Sequence, residues 1–321
     1  MTLISVIIPV KNGAGILDKC LSAITNQTIA TEINIIVLDS GSTDNSVIIA
    51  ESFGARVINI PPKDFNHGLT RNIGVEQASG SLLYFTVQDA YLAERDQLEK
   101  MSAHFIDSEL QAVVGMQATP HERDKNPADW FKRITKPNTV FRHFPDGSFG
   151  AMSLREQFKY CSWDNVNAMY RKSALVNIPF IKTDFAEDWS WVKAALTAKM
   201  KIAFDPSLVA YHYHHRNFGY SFRVEYIINY NFFTRFGVYP ALPPLLRPLA
   251  TAWKRIWSNN NIPFGEKVYW TIHNFNSQAG NFSSHLIFII VSRFFSKRTL
   301  DRSLLFFCKS VPQGAANSST T

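Results

Sequence analysis

The sequence predicts an α/β fold: a Rossmann-like, mostly parallel sheet with helices on both faces, followed by a mainly helical C-terminal segment. Three observations carry that expectation. Apolar runs of strand length alternate with helix-period segments over roughly the first 120 residues. Those runs are apolar along their whole length, the pattern of strands covered on both faces. The last third then changes character, to stretches such as "ATAWKRIW" and "HLIFIIVSRFFSKR" that mix aromatic, aliphatic and basic residues.

Taken in order, "ISVIIPV" reads as the first strand, and "GILDKCLSAITNQ" sets Ile16, Leu17, Cys20, Leu21 and Ile24 on one face of a helix. "INIIVLD" is the second strand. "STDNSVIIAESFG" opens on capping residues and closes on Gly54, as a short helix should. "ARVINI" makes a third strand, "GLTRNIGVEQASG" a helix closed by Gly80, and "SLLYFTV" a fourth strand. Beyond these come a strand at "AVVGMQ", a polar connection between His121 and Phe149, a helix near "EDWSWVKAALTAKM" and a strand near "SLVAYHYH". No internal repeat is visible. Ligands of such sheets bind outside the carboxyl ends of the strands, so Asp39 and Asp89, which close the second and fourth strands, are expected in one crevice.

The chain has 321 residues, 46% hydrophobic and 18% charged, which is globular composition with length for about two domains. Its charge of +7 is unevenly placed. From Ser221 onward there are eleven Lys/Arg against three Asp/Glu, while residues 1–220 hold 22 bases and 23 acids. Boundaries follow at 1–220 for the α/β domain, 221–310 for a basic, aromatic-rich helical region and 311–321 for a disordered tail. No run in the last third approaches the ~20 apolar residues of a spanning helix. Helices with Trp, Phe and Leu on one side and Lys/Arg on the other lie in a membrane interface; the same residues also suit a helical subdomain packed on a core, and composition leaves both open. Cys20, Cys161 and Cys308 are distant, odd in number and without a CxxC, which suggests neither a disulfide framework nor a zinc site and fits a reducing cytosol. The first apolar run is too short for a signal-peptide core and meets Lys11 at once.

Single motifs carry little alone. Asp89 in "QDA" suits an oxygen-preferring Mg²⁺ or Mn²⁺, yet an Asp after a strand is commonly a turn residue. Glu187 and Asp188 stand where a helix starts, as first-turn acids do. His212 and His214 alternate along a strand, and imidazole is both a frequent metal ligand and an ordinary structural residue. Arg71 and Asn72 follow Gly68 near a helix start, which favours anions. Gly13 and Gly15 begin a dinucleotide fingerprint, but Asp18 stands where its third glycine belongs, against a nicotinamide-dependent oxidoreductase.

In combination the order is distinctive. "ISVIIPVKN", "VLDSGSTDNS", "FNHGLTRNIGVEQASGSLLYFTVQDA", "SWDNVNAMYRKSALVNIPF" and "FAEDWSWVKAALTAKMKIAFDPSLVAYHYHH" resemble the family 2 glycosyltransferases of the GT-A fold, in particular their rhamnosyltransferase-like branch, over residues 3–216. The resemblance implies that Pro9, Asn12 and Asp39 line the nucleoside pocket, that His67 and Gln88 join the nucleotide-sugar site, and that Arg71 lies beside the diphosphate. Asp89 matches the second acid of the family's D-x-D, and Val87 replaces the first. Asp89 and His212 would then hold Mg²⁺ or Mn²⁺. Asp188 matches the catalytic base, with Glu187 beside it.

The reaction implied is an inverting transfer from a nucleotide-sugar donor, dTDP-L-rhamnose foremost, with UDP-hexose or UDP-N-acetylhexosamine as alternatives. The acceptor would be a lipid-linked or oligosaccharide chain of a bacterial surface polysaccharide, O-antigen or capsule. The expected place is the cytoplasmic face of the bacterial membrane, peripherally bound, with no nucleic-acid partner. A catalytically decayed, membrane-associated scaffold is the remaining rival, with Val87 its best support.

Overall fold

The computed structural model describes residues 3–131, 138–183 and 185–308, so the expected tail from 311 lies outside the described residues. The chain forms two compact units, one from residues 1–118 and 134–213 and the other from 119–133 and 214–312. Composition places the boundary at 220. The division falls instead at 214, and the second unit also takes in 119–133, which carry no compositional mark.

Nine strands and eight helices build the described part of the first unit. In order they are β1 (Ile4–Val10), α1 (Leu17–Thr25), β2 (Ile33–Asp39), α2 (Ser46–Ser52), β3 (Arg56–Asn59), α3 (His67–Gln77), β4 (Leu82–Phe85), β5 (Ala90–Leu92), α4 (Gln97–Ala103), β6 (Leu110–Ala118), β7 (Val140–Arg142), α5 (Ser148–Ala151), α6 (Leu154–Phe158), β8 (Ala168–Arg171), α7 (Lys172–Asn177), α8 (Glu187–Thr197) and β9 (Lys201–His212). The second unit holds α9 (Phe218–Phe236), α10 (Leu246–Trp257), α11 (Phe264–Phe294) and α12 (Lys297–Phe307).

The strands lie in the order β3-β2-β1-β4-β8-β6-β9-β5, with β7 on β9. Pairing is parallel through β3, β2, β1 and β4, as their unbroken apolar runs predict, and mixed beyond, because β8 enters antiparallel to both β4 and β6. Ile4, Val6, Ile7 and Ile8 of β1 are all fully buried, so helices cover both faces. Each such side chain contributes about 1.5–3 kcal/mol. The expected apolar face of α1 is the buried one: Leu17, Cys20, Leu21 and Ile24.

One boundary differs in a way that matters. The fourth strand stops at Phe85, and Asp89 lies four residues past it, in a turn closed by the Ala90 N–H on the Val87 carbonyl at 3.1 Å. The turn forms because Gln88 swings back to clamp Lys11, donating to its carbonyl (3.2 Å) and accepting from its N–H (2.8 Å). Underneath, the buried Cys20 thiol donates to the Val87 carbonyl. Asp89 therefore stands just before β5, whose Ala90 pairs with His212 of β9.

The sheet's mixed half turns on one buried amide. Asn167, fully buried, accepts from the Tyr84 hydroxyl (3.1 Å) and the Gln97 amide (3.2 Å) and donates to the Leu208 carbonyl (2.9 Å). Gly115 of β6 passes so close that a Cβ there would meet both Asn167 Nδ2 and the Leu208 carbonyl at 2.2 Å, so only glycine fits.

Candidate active site

Strand direction decides which residues meet. β1, β2, β4, β6 and β9 run one way, and β5 and β8 the other. The last residues of β1, β2, β6 and β9 thus share a sheet edge with the residues that lead into β5 and β8. Asn12, Asp39, Asp89, Gln117, Asp164 and His212 all belong to that edge.

At its parallel end, three loops are stitched together. Asp39 is buried, and its carboxylate accepts from the N–H groups of Gly41 (3.1 Å) and Ser42 (3.1 Å). Asn12 takes a left-handed backbone conformation (φ 49°), donates its N–H to Ser42 Oγ (2.9 Å) and accepts from the Thr43 N–H (2.8 Å). The Gly13 N–H reaches Ser46 Oγ at 2.7 Å, and Gly13 lies under Gln88. Pro9, half-buried in β1, pairs with Leu38. Asn12, Asp39 and Gln88 spend these polar atoms on holding the loops together.

The motif "FNHGLTRN" turns out to be a clamp. Asn66 caps α3 from its side chain, accepting from the Leu69 N–H (3.2 Å), and also accepts from the Thr183 N–H (3.1 Å). Asn72 holds Phe180 by both its N–H (3.0 Å) and its carbonyl (2.8 Å). A Cβ on Gly68 would lie 2.0 Å from the Ile181 carbonyl oxygen, so the close approach requires glycine. The segment clamped to α3 is the one that launches α8, entering through Ala186 in a left-handed conformation (φ 59°).

Arg71 completes this clamp. The resemblance sets it beside a diphosphate; in the structure Arg71 is 5% exposed and its guanidinium is ion-paired with buried Glu187 at 2.7 Å, with Nη1 also on the His67 carbonyl (3.2 Å). Arg71 Nε, also buried, has no hydrogen-bond partner among the described residues. Asn165 adds its amide to Glu187 (3.2 Å) and its N–H to Asp188 (3.3 Å), and is itself held by the Tyr170 hydroxyl at 2.6 Å.

The two adjacent acids are driven apart electrostatically. Burial penalises the Glu187 carboxylate, but Arg71 first and then His67 outweigh it and hold its carboxyl below the ordinary glutamate range. Asp188 forms no ion pair among the described residues, and Arg71 offsets only a smaller part of what it feels. Burial, then repulsion from Glu187 and Asp164, push its carboxyl well above the usual carboxylate range, as suits a proton acceptor working near neutrality. Asp188 is half-buried where Glu187 is buried, so it is the more accessible of the two.

The third group surrounds Asp89. Its Oδ1 stands 3.5 Å from His212 Nε2, and Asp89, His212 and His214 offer ligand atoms within 4.8 Å of one another. One carboxylate and two imidazoles fit a divalent transition ion such as Mn²⁺ better than Mg²⁺, which prefers oxygen. Val87, in the place of a first acid, offers its backbone carbonyl, which accepts from the Ala90 N–H and the Cys20 thiol. On its far side His212 Nδ1 meets Gln117 Oε1 at 2.8 Å, and Gln117 Nε2 donates to Asp164. Sequence reading missed Asp164, Asn165 and Gln117. Their only signal was the "SWDN" and "AVVGMQ" stretches themselves, and nothing in their spacing points to His212 or Glu187.

Residues 5–178 match the family described as Glycosyl transferase family 2. The chain is 31% identical over 215 residues to the O-antigen chain rhamnosyltransferase RfbN of Salmonella typhimurium, covering 66% of each chain. It is 31% identical over 184 residues to the O-antigen chain rhamnosyltransferase WbaN of Salmonella anatum, 56% of each. The matches thus span less than two thirds of those relatives. Among solved structures, the mannosyltransferase PcManGT of Pyrobaculum calidifontis, in complex with GDP-Man and Mn²⁺, aligns with a TM-score of 0.53 at 14% identity, over 95% of this chain and 81% of that one. S. aureus TarS 1-349 aligns with a TM-score of 0.53 at 17% identity, over 97% and 81%. These likenesses establish the GT-A fold.

The buried ion pair yields a direct expectation. Arg71→Met leaves Glu187 charged and unpaired, and should cost about 3–5 kcal/mol in denaturant unfolding. Adding Glu187→Met should recover most of that loss. If the double variant is no more stable than Arg71→Met, the pair is not what holds the α8 start.

Proposed function

Because the chain belongs to glycosyl transferase family 2, we propose that it is an inverting glycosyltransferase with Asp188 as general base. The observation that carries this is the split between Glu187, held ionised by Arg71, and Asp188, raised in proton affinity and half-buried beside it. Asp188 accepts the proton of an acceptor hydroxyl as its oxygen attacks the anomeric carbon from the face opposite the nucleotide. The nucleoside diphosphate departs with the bonding electrons, and the configuration inverts. Glu187, buried and clamped, keeps the start of α8 in place and repels the charge that would otherwise settle on Asp188.

The loops of Asn12, Asp39 and Gln88 form the wall for the nucleoside, with Pro9 in the strand beneath, and His67 lies on the side nearer Glu187. Asp89 and His212, with His214, would hold a divalent cation, Mn²⁺ before Mg²⁺. Such an ion, when bound, supplies charge neutralisation for the leaving diphosphate. Arg71 serves as the residue that positions Glu187, a role its burial supports better than direct contact with phosphate. The oxidoreductase reading falls with the family assignment. The decayed-scaffold reading is disfavoured by the intact grouping of Arg71, Asp164, Glu187 and Asp188.

The donor we favour is dTDP-L-rhamnose, on the likeness to two O-antigen chain rhamnosyltransferases. The acceptor would be a lipid-linked or oligosaccharide chain of a bacterial surface polysaccharide, O-antigen before capsule, at the cytoplasmic face of the membrane. No described helix is long and apolar enough to cross a bilayer. Peripheral binding is supported by the second unit: α10 exposes Leu246 and Trp253, and Arg247, Lys254 and Arg255 line an open groove along it. Large apolar side chains are exposed on α11 and α12 as well, Phe264, Ile272, Phe294 and Phe306 among them. Apolar and basic residues side by side suit an anionic lipid interface.

Asp188→Asn should lower transfer by about 10²–10⁴-fold while donor-nucleotide affinity stays within about twofold. In the native chain, transfer should fall on acidification through an apparent pKa above the ordinary carboxylate range of about 4. The stability consequence has the opposite sign. A carboxyl whose folded pKa is raised opposes folding at neutral pH, so Asp188→Asn should raise Tm there, and the gain should vanish below about pH 4. Loss of nucleotide affinity in step with activity would remove Asp188 from the base role.

A thermal-shift panel of nucleotide sugars, each with Mn²⁺, Mg²⁺ or chelator, should show the largest stabilisation with dTDP-L-rhamnose and Mn²⁺. A larger shift with a UDP-hexose or UDP-N-acetylhexosamine would reassign the donor and leave the base intact. For the membrane, the intact chain should co-sediment with phosphatidylglycerol vesicles at low salt and release as the Debye length shrinks to about 3 Å near 1 M salt. Indifference to such vesicles at low salt would reject the peripheral site.

A further inference from the structure

We propose that Gln117 and Asp164 are positioning residues that fix which ring nitrogen of His212 faces Asp89. The proposal concerns the cation site described above, and it rests on that reading only for the consequence it draws about metal affinity. Its geometry comes from three strands that are neighbours in the sheet, β8, β6 and β9. Asp164 stands just before β8, Gln117 near the end of β6 and His212 at the end of β9, so the three side chains line up along one edge.

With Asp164 ionised, the order of donors and acceptors leaves one arrangement. Asp164 Oδ1 accepts from the Val166 N–H at 2.9 Å, and Oδ2 accepts from Gln117 Nε2. A carboxylate only accepts, so the Gln117 amide must turn its NH₂ toward Asp164 and its oxygen toward His212. That oxygen lies 2.8 Å from His212 Nδ1. An amide oxygen has no proton to give, so in the neutral ring Nδ1 carries the proton and Nε2 keeps its lone pair. Nε2 is the atom 3.5 Å from Asp89 Oδ1. Two acceptors are thereby turned toward each other, an arrangement that a cation between them stabilises. Without Gln117, Asp89 would draw the proton to Nε2 and blunt the ligand, the usual reason why outer partners of a metal-binding His matter.

The test uses the full chain labelled with ¹⁵N-histidine, free of metal, at pH 8.5. Long-range ¹H–¹⁵N spectra, with His212 assigned from its loss in His212→Gln, should show the proton on Nδ1. Gln117→Leu should move it to Nε2 and weaken Mn²⁺ binding, followed by electron paramagnetic resonance, by about 10–100-fold. Gln117→Glu with Asp164→Asn reverses the inner pair while keeping an oxygen toward His212, and should restore both the Nδ1 proton and Mn²⁺ affinity, which a merely structural role would not do. A proton on Nε2 in the native chain, no change in Gln117→Leu, or no rescue in the double variant each overturns the proposal. If the proton sits on Nδ1 and answers to Gln117 as expected but Mn²⁺ does not bind, the cation-site reading fails and the positioning role stands.

Discussion

One buried guanidinium organises the first unit's chemistry. Arg71 is nine-tenths inaccessible, and its pairing with Glu187 is possible only because α3 and the segment before α8 are brought against each other by Asn66, Gly68 and Asn72. A buried charge is costly to leave unpaired, so the pair enforces the approach of these elements more than it stabilises the fold. Asp188 follows from the same constraint. It is the acid next in the chain to one already neutralised, and the repulsion it receives from Glu187 and Asp164 outweighs the attraction of Arg71. The placement of Asp188, the base we propose, and its raised proton affinity thus have a common cause.

That arrangement is not free of strain. Ala186 enters α8 in the left-handed region, which costs a residue with a Cβ about 1–2 kcal/mol. Glycine there would relieve the strain but leave the entry to α8 less determined. Together with the destabilised Asp188 carboxylate, it marks the α8 start as a place that costs folding stability, the signature expected of the site we propose.

The legible and illegible parts of the sequence divide on physical lines. β1, β2 and β3 and the buried face of α1 could be read because apolar runs and helix periodicity are local signals. The end of β4 could not, since "TV" continues the apolar run while the turn is imposed by Gln88 reaching Lys11, 77 positions away. Asp188, Glu187, Asp89 and His212 were reached through motif order, and the structure sets them at the same edge or at its neighbouring helix. Arg71, expected beside a diphosphate, stands against a buried carboxylate: a basic residue near a helix start resembles an anion site whether it faces solvent or such a carboxylate. Asp164 and Gln117 escaped because their partners lie 47 and 95 positions away, and a mixed sheet gives no periodic sign of which strand ends are adjacent.

The second unit is completed by residues from two distant stretches of chain. Arg123 pairs with Glu266, Asn126 with Asn274, and the Ala128 carbonyl accepts from Arg255, across separations of 143, 148 and 127 positions. Ala128 is buried with Ala252, Ile256 and Trp270. On the ribosome, at about 5–20 residues per second, Asn126 emerges roughly 7–30 s before Asn274. During that interval the early stretch has no partner, and Ala128 and its neighbours remain open to chaperones and proteases. A chain cut near residue 240 would be held permanently in that state, which makes the helical region a late closing step of synthesis and not a removable appendage.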